Sequence, residues 1–147
     1  MKLETHLIRP YRDEDEAGVV RLWAEVFHDA PAWNDPTADI RRKQTVQADL
    51  FLVAVSGVRI AGTVMAGFDG HRGWIYYLAV DPDLRRRGLG RALMQEAEQR
   101  LEASGCTKVN LQVRASNPEG VRFYEQAGYR VEDRISMGRR LDKPGTG

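Results

Sequence analysis

Residues 74–113 constrain the fold more than any other part of the chain. The run WIYYLAV is apolar at nearly every position, which is typical of a strand covered on both faces. A helical pattern follows, with an apolar residue at every fourth position: Leu89, Leu93, Ala97 and Leu101. KVNLQV then reads as a second strand. A strand, a helix and a strand in this order predict a parallel βαβ crossover.

The flanking segments predict the rest of a mostly antiparallel sheet. The predicted strands before the crossover are HLIRPY, LFLVAV and IAGTVMAGF, and those after it are YRVEDRI and SMGRRL. The other predicted helices lie at 13–29, 37–47 and 117–128. The predicted fold class is therefore α/β (α+β), with a mixed, mostly antiparallel central sheet, one parallel βαβ unit and helices on both faces.

Length and charge exclude several classes of protein. The 147 residues suit a single domain, 1–147, with about 141–147 as a frayed tail. A net charge of +1 gives no overall basic field for nucleic acid or an anionic membrane, and no apolar run approaches the ~20 residues that span a bilayer. The three histidines show no metal-ligand spacing. Cys106, the single cysteine, cannot form an internal disulfide, which favours a cytoplasmic location.

The stretch DPDLRRRGLG, residues 81–90, joins the apolar strand to the crossover helix and has the composition of an anion site. The start of a helix leaves backbone N–H groups unpaired and carries the positive end of the helix dipole. Gly88 and Gly90 let an anion approach the backbone, and arginines flank them on both sides. Because positive charge at a helix N-terminus opposes the dipole, this cluster favours a bound anion such as a phosphate.

A purely structural interpretation of this junction is also open. Arginines on a first helical turn are often simply solvated, and glycine often ends a turn. Known nucleotide motifs fit poorly, since the spacing is not G-x-G-x-x-G and no Lys-Ser/Thr pair follows as in a Walker motif. A nucleic-acid site is disfavoured because no aromatic residues interleave the arginines.

The segment YYLAVDPDLRRRGLGRALMQEAE resembles the coenzyme A signature of the GNAT N-acetyltransferase superfamily, Arg/Gln-x-x-Gly-x-Gly/Ala behind a strand. Arg85, Gly88 and Gly90 fill that pattern. SNPEGVRFYEQAGY resembles the second family signature at Asn117 and Tyr124. The order of elements is also similar, so the resemblance covers essentially the whole chain. PAWNDPTADIRRK and GFDGHRG resemble a bacterial subgroup, the YpeA-like acetyltransferases.

The resemblance implies a role for each matching residue. Acetyl-CoA would be the co-substrate, and no metal would be needed. Tyr124 would protonate the departing thiolate, and a backbone N–H of the strand would stabilise the oxyanion. Asn117 would contact the pantetheine arm, although a role as helix N-cap explains it equally well. The implied cofactor-binding residues are Leu78, Ala79, Val80, Arg85, Arg86, Arg87, Gly88, Leu89, Gly90, Arg91 and Asn117.

The acceptor side is less defined. Ribosomal-protein alanine acetyltransferases carry a Glu where this chain has Gln112 in LQVR, and an amide cannot accept a proton. Asp35, Asp69 and His71 are the remaining candidates for the base. The loop residues Trp33, Asn34 and Asp35, together with His71, are the candidate substrate residues, and a proline-bounded loop anchored by a buried Trp33 is the structural alternative.

The sequence thus predicts an N-acetyltransferase that moves an acetyl group from acetyl-CoA to a primary amine, on a small molecule or a protein side chain. Direct attack by the amine is favoured because Cys106 has no evident activating partner. The alternative is a non-catalytic module that binds coenzyme A as a sensor or partner domain. Either would be a monomer or a homodimer.

Overall fold

The computed structural model describes residues 6–31 and 33–142, and within them one sheet dominates. Its strands are β1 (Leu7–Pro10), β2 (Phe51–Ser56), β3 (Arg59–Phe68), β4 (Gly73–Val80) and β5 (Val109–Leu111). They lie in the order β1-β2-β3-β4-β5. The first three pairings are antiparallel, and β4 pairs with β5 in parallel. This is the predicted mixed, mostly antiparallel sheet.

Four helices accompany these strands in the described part of the chain: α1 (Glu16–Val26), α2 (Pro36–Lys43), α3 (Leu89–Ala103) and α4 (Pro118–Gln126). Short 3-10 turns precede α1, β2 and α3 at Asp13–Asp15, Ala48–Leu50 and Pro82–Leu84. The predicted second helix, 37–47, is wrong at its C-terminal end. Gln47 adopts a left-handed backbone, with φ of 52°, which a continuing α-helix does not allow.

Neighbouring residues of β3 show that helices cover both faces of the sheet. A Cβ on Gly62 would lie 2.9 Å from the Leu93 side chain of α3. The next side chain, Thr63, points the other way and accepts a hydrogen bond from Trp23 of α1. Because successive strand residues face opposite sides, α1 and α3 lie on opposite faces, as predicted.

The crossover helix α3 is buried along the face that its sequence period defines. Leu89, Leu93, Ala97 and Leu101 are all buried, together with Met94. Burying each leucine contributes about 1.5–3 kcal/mol, so this face alone fixes α3 against the sheet. Gly73 at the start of β4 permits a close approach, since a Cβ there would lie 3.2 Å from the Leu101 side chain of α3 and 2.8 Å from the Cys106 sulfur.

The chain divides into two compact units, residues 1–112 and 113–147. The first holds the sheet with α1, α2 and α3, and the second holds α4 and the segment that follows it. The expected single domain stays a prediction.

The two final strands predicted at 129–135 and 136–141 are wrong. The structure assigns no strand between 129 and 142, and Val131, Ile135, Met137 and Leu141 have exposed side chains. Alternating apolar residues supply one face of a strand but not the ladder partner that makes it one. Most of the expected frayed tail, 143–147, lies outside the described residues.

Candidate functional site

The start of α3 is open to a ligand from outside the helix. Gly88 is the N-cap residue and brings no side chain to accept from the first-turn amides. The first bond of the helix runs from Ala92 N to the Gly88 carbonyl, at 3.0 Å. The amides before Ala92 in the first turn have no acceptor within the helix. No acidic residue lies in this turn, so the helix dipole is not offset by a carboxylate.

The loop before α3 has the backbone shape of an anion site. Arg86 and Gly88 both adopt left-handed conformations, with φ of 65° and 81°. Left-handed residues are the elements from which concave runs of amides that bind anions are built. Arg85, Arg86 and Arg87 are exposed, as is Arg91. The sequence motif therefore corresponds to amides and guanidinium groups at one accessible turn.

The two acidic residues that precede the arginines, Asp81 and Asp83, are paired with Arg59. Asp81 is buried, accepts a hydrogen bond from Asp83 N at 2.9 Å and forms an ion pair with Arg59. Asp83 accepts from Arg59 at 3.2 Å. Arg59 thus pairs with both carboxylates that precede the arginine cluster and offsets one of their two negative charges, and the four exposed arginines keep the turn positive.

Strand β4 leaves half of one edge without a strand partner. Its parallel ladder with β5 covers only Gly73, Trp74 and Ile75 among the described residues, while its ladder with β3 continues to Val80. The β5-facing edge from Tyr76 to Val80 therefore offers backbone amides and carbonyls to a ligand. A pantetheine arm carries two amides and suits such an edge, as an added strand does.

A bulge in β4 begins where this open edge begins. The register with β3 shifts because Met65 pairs with Tyr76 and Thr63 pairs with Ala79, so one residue of β3 lies opposite two of β4. Tyr77 lies in the bulge and adopts a left-handed backbone conformation, with a φ of 52°. A left-handed backbone costs a tyrosine about 1–2 kcal/mol, so neighbouring contacts must hold it.

Four side chains from three elements hold Tyr77. Its ring stacks on Trp23 with centroids 3.8 Å apart and meets Phe27 edge-on at 5.7 Å. Its hydroxyl donates to Asp39 of α2 at 2.5 Å. Its carbonyl accepts from the Thr63 hydroxyl at 2.8 Å. Burial, followed by the bond to Asp39, raises the pKa of Tyr77, so its hydroxyl stays protonated and donating at neutral pH.

Asn117 performs the capping role at the start of α4. Its side chain accepts from Gly120 N at 3.0 Å, and Pro118 occupies the first turn. A Cβ on Gly120 would lie 2.6 Å from the Asn117 amide nitrogen, so this close cap requires glycine. The structure establishes the N-cap interpretation and leaves the expected contact with pantetheine a prediction.

Tyr124 lies in the last turns of α4, which ends in a Schellman motif. Tyr129 N donates to the Tyr124 carbonyl at 2.9 Å, and Gly128 N donates to Glu125 at 3.0 Å, with Gly128 at a φ of 99°. The Tyr124 ring packs edge-on against Phe123 and Tyr129. Burial raises the pKa of Tyr124 to about 12, so the phenol keeps its proton throughout the neutral range.

The expected acceptor residues are exposed loop residues. Trp33 is 45% exposed, which contradicts the alternative of a buried anchor. Asn34 is exposed and donates its backbone N–H to Pro31. Asp35 caps α2, accepting from Ala38 N at 3.2 Å.

The other base candidates lie in the turn between β3 and β4. Asp69 accepts 2.7 Å hydrogen bonds from the backbone N–H groups of His71 and Arg72. These bonds lower the pKa of Asp69, which weakens it as a base. The His71 side chain is exposed.

The sequence motifs pointed to the α3 junction and missed the Asp39–Tyr77 pair. Tyr77 reads as one more core residue of an apolar strand, and Asp39 reads as one polar residue of a polar helix. The two are 38 residues apart in the chain. No local pattern signals such a pair; only the packing of α2 against the sheet brings them together.

Comparisons with known proteins show which family this chain belongs to. The family model of the acetyltransferase (GNAT) family matches residues 11–129. Acetyltransferase ECA0875 of Pectobacterium atrosepticum is 46% identical over 134 residues, covering 91% of this chain and 94% of that protein. The chain therefore belongs to the GNAT acetyltransferase family.

Solved structures show the same fold at lower identity. A structure described as a transcriptional regulator from Bacillus halodurans has a TM-score of 0.77 at 20% identity, covering 93% of this chain and all of that one (100%). The PaiA N-acetyltransferase of Thermoplasma acidophilum, solved in complex with coenzyme A, has a TM-score of 0.70 at 20% identity, covering 90% and 94%.

Two features are absent from the described residues, 6–31 and 33–142. None of their helices is long and apolar enough to cross a membrane. They also hold no group of three or more His, Cys, Asp or Glu side chains arranged to bind a metal ion.

Proposed function

We propose that the protein is an N-acetyltransferase that transfers the acetyl group of acetyl-CoA to a primary amine of a small molecule or a protein side chain. The observation that carries the proposal is the start of α3, where uncapped amides and exposed arginines meet in a chain of the GNAT family. A pyrophosphate supplies the two negative charges and the acceptor oxygens that this turn lacks.

The proposed cofactor contacts run from β4 into α3. Leu78, Ala79 and Val80 would bind the pantetheine arm through the open edge of β4. The residues from Arg85 to Arg91 would bind the pyrophosphate through backbone amides and guanidinium groups. Asn117 would add a contact from its amide nitrogen, since its oxygen already accepts from Gly120 N.

The proposed chemistry is direct attack on the thioester. The amine nitrogen bonds to the carbonyl carbon, the oxyanion forms beside a backbone N–H of β4, and the carbon–sulfur bond then breaks. Tyr124 would protonate the leaving thiolate: burial keeps the phenol protonated at neutral pH, but the raised pKa also makes it a weaker acid, so the transfer requires a direct hydrogen bond to the sulfur. The ammonium form of the acceptor must first lose a proton to a base or to water. After attack the nitrogen loses a second proton, which restores the Tyr124 phenol.

A covalent acetyl-enzyme through Cys106 is disfavoured. Cys106 is 7% exposed and packs beneath Gly73, and its thiol donates to the Lys108 carbonyl at 3.2 Å. A nucleophilic thiol needs an accessible, electropositive setting. The contacts of Cys106 are those of a packing residue.

An assay with acetyl-CoA and a panel of primary amines tests the proposal, with acetyl transfer measured through the release of free coenzyme A thiol. We expect Tyr124→Phe to lower kcat about 10²-fold or more, with acetyl-CoA binding nearly unchanged, because the variant loses only the proton donor. Phe123→Leu on the same helix is the control for packing. Micromolar binding of acetyl-CoA without transfer to any amine would favour the non-catalytic sensor instead. Absence of binding would exclude both.

Two finer assignments belong to the same proposal. The segments 31–43 and 67–73 support membership of the YpeA-like subgroup. The unpaired Cys106 thiol supports a cytoplasmic location.

A further inference from the structure

The backbone conformation of the β4 bulge affects the chemical step, whereas the start of α3 affects the binding of coenzyme A. The proposed oxyanion donor is a backbone N–H of β4 in the segment that follows Tyr77. Its direction depends on the backbone of Tyr77, which adopts a φ of 52° that an aromatic L-residue disfavours. A side chain that fixes Tyr77 therefore also fixes the donor.

We propose that Asp39 is a positioning residue for the transfer reaction, holding the β4 bulge through the Tyr77 hydroxyl. The proposal rests on the acetyltransferase function proposed above. Among the described residues, the Asp39 carboxylate contacts the Tyr77 hydroxyl and Arg42, and it acts on the open edge of β4 only through that hydroxyl. Its effect on catalysis passes entirely through Tyr77.

The contacts on Tyr77 differ in what they can restrain. Trp23 fixes the plane of the ring, and Thr63 fixes the carbonyl. Trp23 also donates to the Thr63 hydroxyl at 2.9 Å, so these two contacts form one unit within the core. Stacking alone leaves the ring free to slide in its own plane. The bond from the hydroxyl to Asp39 stops that sliding at the far end of the side chain.

Asp39 is itself held in position. Arg42, one turn further along α2, forms an ion pair with it. The next residue, Lys43, donates to the Ala66 carbonyl of β3 at 2.5 Å and so ties the same turn of α2 to the sheet. A short hydrogen bond from a hydroxyl to a carboxylate is stronger than one between neutral groups. The pair therefore forms a rigid link between α2 and the bulge.

The experiment compares kcat and KM in the full-length protein. Tyr77→Phe keeps the ring on Trp23 and removes only the hydroxyl, and Asp39→Ala removes the acceptor. We expect each to lower kcat about ten-fold and to change the KM for acetyl-CoA less than about two-fold, because the donor moves while the pyrophosphate site does not. Tyr11→Phe removes a hydroxyl from another tyrosine of the same core, whose ring stacks on Phe51 with centroids 4.8 Å apart, and should leave both constants unchanged.

The double variant Asp39→Ala/Tyr77→Phe separates positioning from general loss of stability. If the two groups act as one link, the double variant matches either single variant rather than multiplying their effects. Asp39→Asn retains a neutral acceptor and should recover part of kcat. Multiplying effects, a rise in KM at constant kcat, or a Tyr77→Phe variant within two-fold of wild type would overturn the proposal.

Hydrogen exchange provides a readout that does not require activity. Amides of the segment 76–80 should exchange faster in Tyr77→Phe and Asp39→Ala than in Tyr11→Phe, with the core of α3 unchanged. Equal exchange in all variants would also overturn the proposal. A wild-type protein that binds no acetyl-CoA would instead contradict the proposed function, and the exchange experiment would still decide whether Asp39 holds the bulge.

Discussion

The helices α3 and α4 differ in what accepts hydrogen bonds from the backbone amides of their first turns. At the start of α4, the Asn117 side chain accepts from Gly120 N and satisfies an amide of the first turn from within the chain. At the start of α3, Gly88 provides no side-chain acceptor, the first turn has no acidic residue, and arginines surround it. One helix start receives a side-chain cap from its own chain, and the other leaves its first-turn amides to an anion from outside.

The difference shows how a binding site is distinguished from a structural cap. Asn117 and Asp35 both fit a functional motif in the sequence, and both turn out to cap a helix. Gly88 has no capping side chain, and the exposed charges of Arg85, Arg86 and Arg91 are unfavourable at this end of a helix until an anion arrives. The unsatisfied helix start is therefore the stronger evidence for a ligand.

The largest expected effect comes from placing a carboxylate in the open helix start. Gly88→Glu should weaken acetyl-CoA binding at least 100-fold, because the new charge occupies the anion position and repels the pyrophosphate. Calorimetric titration measures it. Gly57→Glu is the matched control, since Gly57 also has positive φ, 63°, with nothing within 4 Å of an added Cβ. Equal loss in both variants would trace the effect to backbone strain.

A smaller effect is expected from the exposed arginines of the turn. Arg85→Gln and Arg86→Gln should each weaken acetyl-CoA binding about five-fold at low salt and less at 0.5 M salt, because screening reduces what each charge contributes. Arg122→Gln, on the exposed surface of α4, should leave binding unchanged. Losses that are independent of salt would argue against a charge contact.

The cap of α4 can be separated from a cofactor contact at the same residue. Asn117→Ala should lower the free energy of unfolding by about 1 kcal/mol, because an amide of the first turn loses its acceptor. Asn117→Asp keeps the cap oxygen and should restore that stability while lacking the amide donor. Chemical denaturation of both variants, beside their acetyl-CoA affinities, assigns the two roles. Unchanged stability in Asn117→Ala would refute the cap.

The smallest effect is expected at the start of α2. The cap from Asp35 to Ala38 N is long and exposed, so Asp35→Ala should cost about 0.5 kcal/mol of stability. If capping is the whole role of Asp35, the KM of the Asp35→Ala variant for the acceptor amine should stay at the wild-type value. A large rise in that KM, with stability unchanged, would instead make Asp35 a substrate residue.

The sequence predicted the parts of the fold that local patterns encode. The period of α3 and the apolar run of β4 predicted the parallel crossover, and the glycine–arginine turn pointed to the open helix start. The end of α2 and the two final strands were mispredicted because a left-handed Gln47 and a missing ladder partner leave no local signal. The bulge at Tyr77 and its bond to Asp39 required the packed structure, since they join residues distant in the chain.

An amide-detected NMR titration with acetyl-CoA at physiological salt tests the central claim most directly. The account predicts saturable, micromolar shifts concentrated at the amides from Arg86 to Arg91 and at Leu78, Ala79 and Val80. Those residues form the uncapped helix start and the open edge of β4. If the amides of the α3 start stay unshifted up to millimolar acetyl-CoA, the anion is not bound there and the account is contradicted.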